Sequence, residues 1–132
     1  MADPLRILLV SGWRELEDEQ PIVELLDRVL PHLVVHGGCR GFDQLVDRVA
    51  RRRHIARAVF DYVPGIGKQG GPVRNQQMVD HVCRYATAGH NITVVCMPGP
   101  TSRGTYDLRD RAVAAGLNPK VQPVNNKENR HE

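Results

Sequence analysis

Apolar and polar positions follow two alternating rhythms along the chain. Leu5-Arg6-Ile7-Leu8-Leu9-Val10, Leu33-Val34-Val35-His36 and Ile92-Thr93-Val94-Val95-Cys96 are short, nearly continuous apolar runs. Such runs predict strands buried on both faces. A further strand is expected within residues 56–63, and a short final one at 121–124, where Pro123 favours an edge position. Between the runs, apolar residues recur at helical spacing. The four sets are Ile22, Leu25, Leu26, Val29 and Leu30; Phe42, Leu45, Val46, Val49 and Ala50; Val79, Val82, Cys83 and Ala86; and Leu108, Ala112 and Ala115. Pro21 suits the first turn of the first helix, whose positive end the acids Glu15, Glu17, Asp18 and Glu19 would complement. Gly71-Pro72 opens the third helix, Gly89 ends it, and Gly116 suits the left-handed stop of the last.

The resulting β-α-β-α-β-α-β-α-β order predicts an α/β, Rossmann-like three-layer fold. Its five-stranded sheet is mostly parallel, with right-handed crossovers and the strand order 3-2-1-4-5. Residues 1–124 read as one domain and 125–132 as a polar tail. Sheets of this kind bind ligands beyond the strand C-termini, where the order reverses. That point lies between the first and fourth strands. Four unusual loops follow strands, at residues 11–14, 37–41, 64–72 and 98–105, and the third, rich in glycine, reads as a mobile flap.

The last of these loops carries the first candidate chemistry. Gly99, Ser102, Arg103, Gly104 and Thr105 lie between a strand end and a helix start. Backbone N–H groups there can hold a phosphate, helped by the helix dipole and the two hydroxyls; the alternative is an ordinary turn with a serine or threonine cap. Arg74 is the candidate charged ligand group, since a guanidinium grips phosphate or carboxylate through two parallel bonds. Its alternative is an internal pair with Asp43 or Asp107. Asn75 reads a base or ribose edge, or holds the flap by a local backbone bond. Met78 lies beneath a base or belongs to the core. Gly37, Gly38 and Gly41 let the second loop approach a ligand, with Arg40 in reach. Asp43 accepts a ribose hydroxyl or compensates its helix. Ser11, Gly12 and Arg14 lie at the reversal point, where Arg14 could instead pair with the adjacent acids. Trp13 stacks on a base or packs.

Composition narrows the classes. The 132 residues are 41% hydrophobic and 25% charged, ordinary for a globular domain able to bury a core. No apolar run approaches the ~20 residues that span a bilayer, and the N-terminus has no apolar signal segment, so a cytoplasmic, membrane-free protein is expected. Cys39, Cys83 and Cys96 are scattered and without a CxxC pair, and the six histidines show no ligand spacing. Neither a disulfide framework nor a metal site is expected, and no cofactor. The net charge of +3 owes much to Arg48, Arg51, Arg52, Arg53 and Arg57. These form a solvated helix face or a nucleic-acid patch. No aromatics interleave with them, which leaves a single-strand stacking platform poorly supported.

Taken together, Val10-Ser11-Gly12-Trp13-Arg14, His36-Gly37-Gly38-Cys39-Arg40-Gly41-Phe42-Asp43, Gly71-Pro72-Val73-Arg74-Asn75-Gln76-Gln77-Met78 and Ser102-Arg103-Gly104-Thr105-Tyr106-Asp107 resemble the YspA-related SLOG family. That family belongs to the superfamily of the Lonely Guy phosphoribohydrolases and DNA-processing protein A. The resemblance spans residues 5–124, and its most specific part is G-P-x-R-N-x-x-M. It implies a Rossmann-like fold, a nucleotide or nucleotide-derived ligand, a bacterial or phage origin, and pairing into homo-oligomers. The chain departs from the pattern at Phe42, where a small residue is usual. It departs again at Pro100 after Gly99, and at Leu108, where hydrolase relatives carry glutamate and Asp107 is displaced by one. These departures favour a protein that senses or sequesters a nucleotide or ADP-ribose-like molecule. An N-glycosidic hydrolase of nucleoside monophosphates is the alternative, with Asp107 and Asp43 as carboxylates and Arg74 positioning the phosphate. A single-stranded-DNA binder comes third.

Overall fold

The computed structural model describes residues 3–126. It contains β1 (Arg6–Gly12), α1 (Gln20–Val29), β2 (Leu33–His36), α2 (Phe42–Arg52), β3 (Ala56–Val59), a 3₁₀ turn (Gly67–Gln69), α3 (Gly70–Thr87), β4 (Asn91–Met97), α4 (Arg103–Ala114) and β5 (Lys120–Val121). The strands form one parallel sheet in the order β3-β2-β1-β4-β5. This is the expected α/β Rossmann-like arrangement.

Alternation along β1 divides the core in two. Leu8 and Val10 face α1 and α2, where they meet Ile22, Leu25, Phe42 and Val46. Ile7 and Leu9 face the other way and pack with Met78, Val79, Val82, Leu108 and Ala112 of α3 and α4. All four β1 residues are fully buried, as a central strand covered on both faces requires. Among the described residues no helix is long and apolar enough to cross a membrane.

Several boundaries differ from the sequence reading, each for a local reason. β1 runs on through Ser11 and Gly12, which pair with Cys96 and Met97. α1 stops at Val29 because Leu30 takes a left-handed conformation, φ 51°. The 64–72 loop is not all flap: the 3₁₀ turn leads directly into α3, which starts at Gly70 and carries Pro72 in its first turn. β5 is shorter than expected. Beyond it, the Gln122 N–H bonds Cys96 O at 2.8 Å and the Val124 N–H bonds Pro98 O at 2.9 Å, so the chain stays beside β4 without strand geometry. Of the expected tail, Asn125 and Asn126 are described, and residues 127–132 lie outside the described residues.

The acids before α1 do not sit in its first turn. Glu19 turns instead to α2, where Arg52 grips both of its oxygens at 2.8 and 3.0 Å and Arg48 adds a third bond at 3.3 Å. The Arg52 bond holds the Glu19 carboxyl below the usual range, against slight burial. Arg51 and Arg57 pair with Asp47, and Arg53 pairs with Asp27. All five arginines of the basic stretch therefore have acidic partners, and the stretch is an ion-paired helix surface. Exposed pairs of this sort are worth about 0–1 kcal/mol each.

Candidate functional site

A cavity of about 430 Å³ opens at the C-terminal end of β1, between the beginnings of α2, α3 and α4. Its size lies within the range of small-molecule sites. Ser11, Gly12, Arg14, Arg40, Asp43, Gly71, Arg74, Asn75, Met78, Ser102, Arg103, Gly104 and Thr105 line it, as the sequence reading grouped them. Glu15, Cys39, Tyr62 and Thr101 also line it and were missed. Trp13, Gly37, Gly38, Gly41, Pro72, Gly99 and Asp107 are not in the wall.

The glycines outside the wall shape it from behind. A Cβ on Gly37 would lie 2.3 Å from Arg74 Nη1, and one on Gly99 would lie 2.2 Å from the Trp13 indole. At Gly37 and Gly99 a side chain crosses over the glycine, while at Gly41, φ 70°, the Arg14 backbone does. No ligand has to be invoked. Trp13 is accordingly a packing residue, 8% exposed and clustered with Val10, Ile22 and Phe42. Its backbone ties two elements together, donating to Met97 O and accepting from the Phe42 N–H, both at 3.0 Å. Phe42 is fully buried, its ring against Gly12. Met78 serves in the core and in the cavity wall at once.

α4 presents an open N-terminus. Ser102 precedes it, but its Oγ accepts the Gly99 N–H at 2.9 Å and does not cap the helix. The Thr105 N–H and Tyr106 N–H both turn to Ser102 O. Among the described residues, nothing accepts from the Arg103 or Gly104 N–H. A Cβ on Gly104 would meet open space. The Thr105 hydroxyl is 3.1 Å from that of Ser11, which links the loop to the end of β1.

α2 begins differently. Asp43, in its first turn, folds back on the preceding loop, and Oδ2 accepts the Gly37 N–H at 3.1 Å and the Cys39 N–H at 3.3 Å. The residue is 5% exposed, and Oδ1 is buried with no hydrogen-bond partner. Burial raises its pKa, outweighing nearby His36 and Arg74 and the two backbone bonds. His36 secures the same loop from below: Nδ1 accepts the Gly38 N–H at 3.0 Å, and Nε2 lies 2.8 Å from Asp47 Oδ1.

Arg74 spans the space between these helix starts. It is 7% exposed, and among the described residues no carboxylate forms an ion pair with it. Neither the Asp43 pair nor the Asp107 pair considered from sequence forms. Nη1 donates to Gly37 O at 2.7 Å and Phe60 O at 3.3 Å, Nε donates to Asn75 Oδ1 at 3.0 Å, and Nη2 reaches Cys39 Sγ at 3.6 Å. A two-pronged grip on phosphate is therefore closed, because Nε and Nη1 are occupied by the protein. What remains is a buried positive charge beside the cavity, with the Nη2 edge toward Cys39.

Asp107 is spent elsewhere. Its Oδ2 accepts from Asn75 Nδ2 at 2.9 Å and Arg111 Nε at 2.8 Å. Burial pushes its pKa up, but these bonds outweigh burial and hold the carboxyl below its ordinary value. Asn75 also donates to Gly104 O at 3.1 Å. Asn75, Asp107 and Arg111 thus form a clasp joining α3 to α4. As a carboxylate placed to act on a ligand in the cavity, Asp107 is corrected to a structural partner. Asn75 supports the start of α4 through protein contacts.

At the mouth, Arg40 bonds Glu15, an acid the sequence reading gave to α1. Asn126 holds the Glu15 loop, accepting the Glu17 N–H at 2.6 Å and donating to Glu15 O at 3.1 Å. Tyr62 bonds Gly67 O and is half exposed at the rim. No group of three or more histidine, cysteine or acidic side chains among the described residues could hold a metal ion. Comparison with protein-family models and with curated proteins finds no match for the chain.

Proposed function

We propose that the protein binds a nucleotide or nucleotide-derived molecule of the ADP-ribose type, with a phosphate at the start of α4, and acts as a sensor or sequestering protein. The observation that carries this reading is the pair of unpartnered N–H groups at Arg103 and Gly104, opening onto a ligand-sized cavity. A helix N-terminus of this kind is an anion site through its donors and its dipole. The buried Arg74 charge, which forms no hydrogen-bonded ion pair among the described residues, adds a field of the same sign. The resemblance to the SLOG family agrees with a nucleotide ligand. Binding without cleavage is the favoured form, because Asp107 is engaged with Asn75 and Arg111.

The test is a thermal-shift panel of AMP, ADP, NAD, ADP-ribose and cyclic ADP-ribose, with each ligand recovered and weighed by mass spectrometry. A ligand at about 100 times its dissociation constant should stabilise the fold by about 2.7 kcal/mol. Stabilisation with intact recovery is expected. Free base and ribose phosphate in the recovered material would replace the sensor with a hydrolase. A panel with no shift would overturn the reading.

A further inference from the structure

We infer that Tyr62 is the base platform of the cavity: the nucleobase of the bound ligand stacks on its ring while the phosphate sits at the start of α4. This rests on the nucleotide reading above and adds to it the direction in which the ligand lies and the part of it that Tyr62 recognises.

The first ground is the chemistry of the wall. Among the described residues that line the cavity, Tyr62 is the one aromatic. Most of the others are glycines or polar and charged side chains. Met78 is apolar, but at 1% exposed it offers a ligand almost no surface. Tyr62 is 49% exposed. A flat apolar face is therefore met at Tyr62 and not elsewhere in the wall. Every nucleobase has a π-face that stacks on such a ring. The surrounding segment, residues 59–73, also exposes Val59, Ile66 and Val73, so apolar surface is concentrated on this side.

The second ground is that the ring is fixed in advance. Its hydroxyl donates to Gly67 O in the 3₁₀ turn. The ring lies against the first residues of α3: a Cβ on Gly70 would be 2.4 Å from Tyr62 Cε1, and one on Gly71 would be 3.7 Å from Cε2. Glycine at position 70 is what leaves room for it. Ordering a free surface side chain on binding costs affinity. A ring already held by the turn and by the start of α3 avoids most of that cost.

The third ground is topology. Tyr62 follows β3 and Gly104 follows β4, and these strands lie on opposite sides of β1 in the sheet. Both residues line the same cavity, together with Ser11 and Gly12 at the end of β1. A ligand with its phosphate on the Gly104 N–H therefore extends across the end of β1 toward Tyr62. The polar part of the wall meets the phosphate and sugar, and the aromatic part meets the base.

Two readouts on the parent, Tyr62→Phe and Tyr62→Leu test this, with melting curves to check the fold. Calorimetry compares AMP with ribose 5-phosphate, which lacks the base. The fluorescence of 2-aminopurine riboside 5′-monophosphate, which is quenched when its base lies on an aromatic ring, reports the stack itself. The parent should quench the probe and bind AMP about tenfold or more tightly than ribose 5-phosphate, the scale of a base–aromatic stack. Phenylalanine keeps the ring and should keep the quenching. Leucine keeps apolar bulk without a ring: AMP should bind about tenfold more weakly, its advantage over ribose 5-phosphate should shrink to about threefold or less, and the probe should bind without quenching. Tight binding of AMP by the parent with no quenching of the bound probe would overturn the assignment and leave the nucleotide reading intact. Unchanged AMP affinity in Tyr62→Leu would do the same. So would equal losses of AMP and ribose 5-phosphate there, which mark a residue that only shapes its loop. No binding of either nucleotide by the parent would overturn both readings.

Discussion

Two helices begin at the same cavity and treat their positive ends in opposite ways. α2 fills its own, placing Asp43 in the first turn, where the carboxyl bonds Gly37 and Cys39. α4 leaves its own empty, since Ser102 is drawn off to Gly99 and Gly104 faces open space. The dipoles are alike, yet the first turn of one helix carries an acid and that of the other carries none. A helix start is informative about ligands only after its own acids and caps have been traced to their partners. By that criterion the start of α4, and not that of α2, suits an anion.

The most direct way to break the contrast is to make α4 resemble α2. Gly104→Asp would put a carboxylate at an early helical position where an added Cβ meets nothing. An acid there favours the helix by about 0.3–1 kcal/mol, so the melting temperature should hold or rise slightly. Affinity for AMP or ADP-ribose should fall by about 100-fold, equivalent to about 2.7 kcal/mol. Calorimetry with both nucleotides measures this. Unchanged affinity in a folded variant would remove the phosphate from the start of α4.

The sheet order and the strand-end loops were legible because their signals are periodic or compositional. Continuous apolar runs separated by helical spacing leave few topologies, and glycine, serine and arginine after each strand marked the cavity side. Side-chain direction was harder to read. Trp13 turns inward over Gly99, and no spacing rule announces that. The role of Asp107 had a readable signal, the (i, i+4) relation to Arg111, which favours a local pair over a free carboxylate. The same relation between Asp47 and Arg51 hinted that the basic stretch was already compensated. Glu15 and Tyr62 were missed because they enter the cavity from loop and rim positions without a motif.

The two acids give the contrast an electrostatic signature. Asp43 titrates higher in the folded chain than in the unfolded one, because burial outweighs its bonds. Its contribution to stability is therefore fully present below the unfolded value of 3.8 and is lost as pH rises through the folded value. Asp43→Asn carries no such dependence. Denaturant titrations of both proteins should show the stability difference moving in favour of the variant by about 1 kcal/mol or more between pH 3 and pH 7, the scale of a buried polar group left half satisfied. A constant difference would mean that the carboxyl is not desolvated.

Asp107 should behave with the opposite sign and a smaller amplitude. Its folded pKa is depressed, since the bonds from Arg111 and Asn75 prevail over burial. The stability it provides is present above 3.8 and is lost as pH falls through the folded value. Both partners of its ion pair are about one-third exposed, so solvent screening keeps the pair within about 1 kcal/mol. Asp107→Asn should therefore be less stable than the parent by up to about 1 kcal/mol at pH 7. The two should converge as the solution is acidified, where the wild-type carboxyl is protonated as well. Nucleotide affinity should change by less than about threefold, because the Asp107 side chain faces the α3–α4 clasp and lies outside the cavity wall. Opposite pH trends for the two asparagine variants, in matched denaturant titrations, would separate the desolvated acid from the acid that joins two helices. Parallel trends would mean that burial does not set Asp43 apart from Asp107.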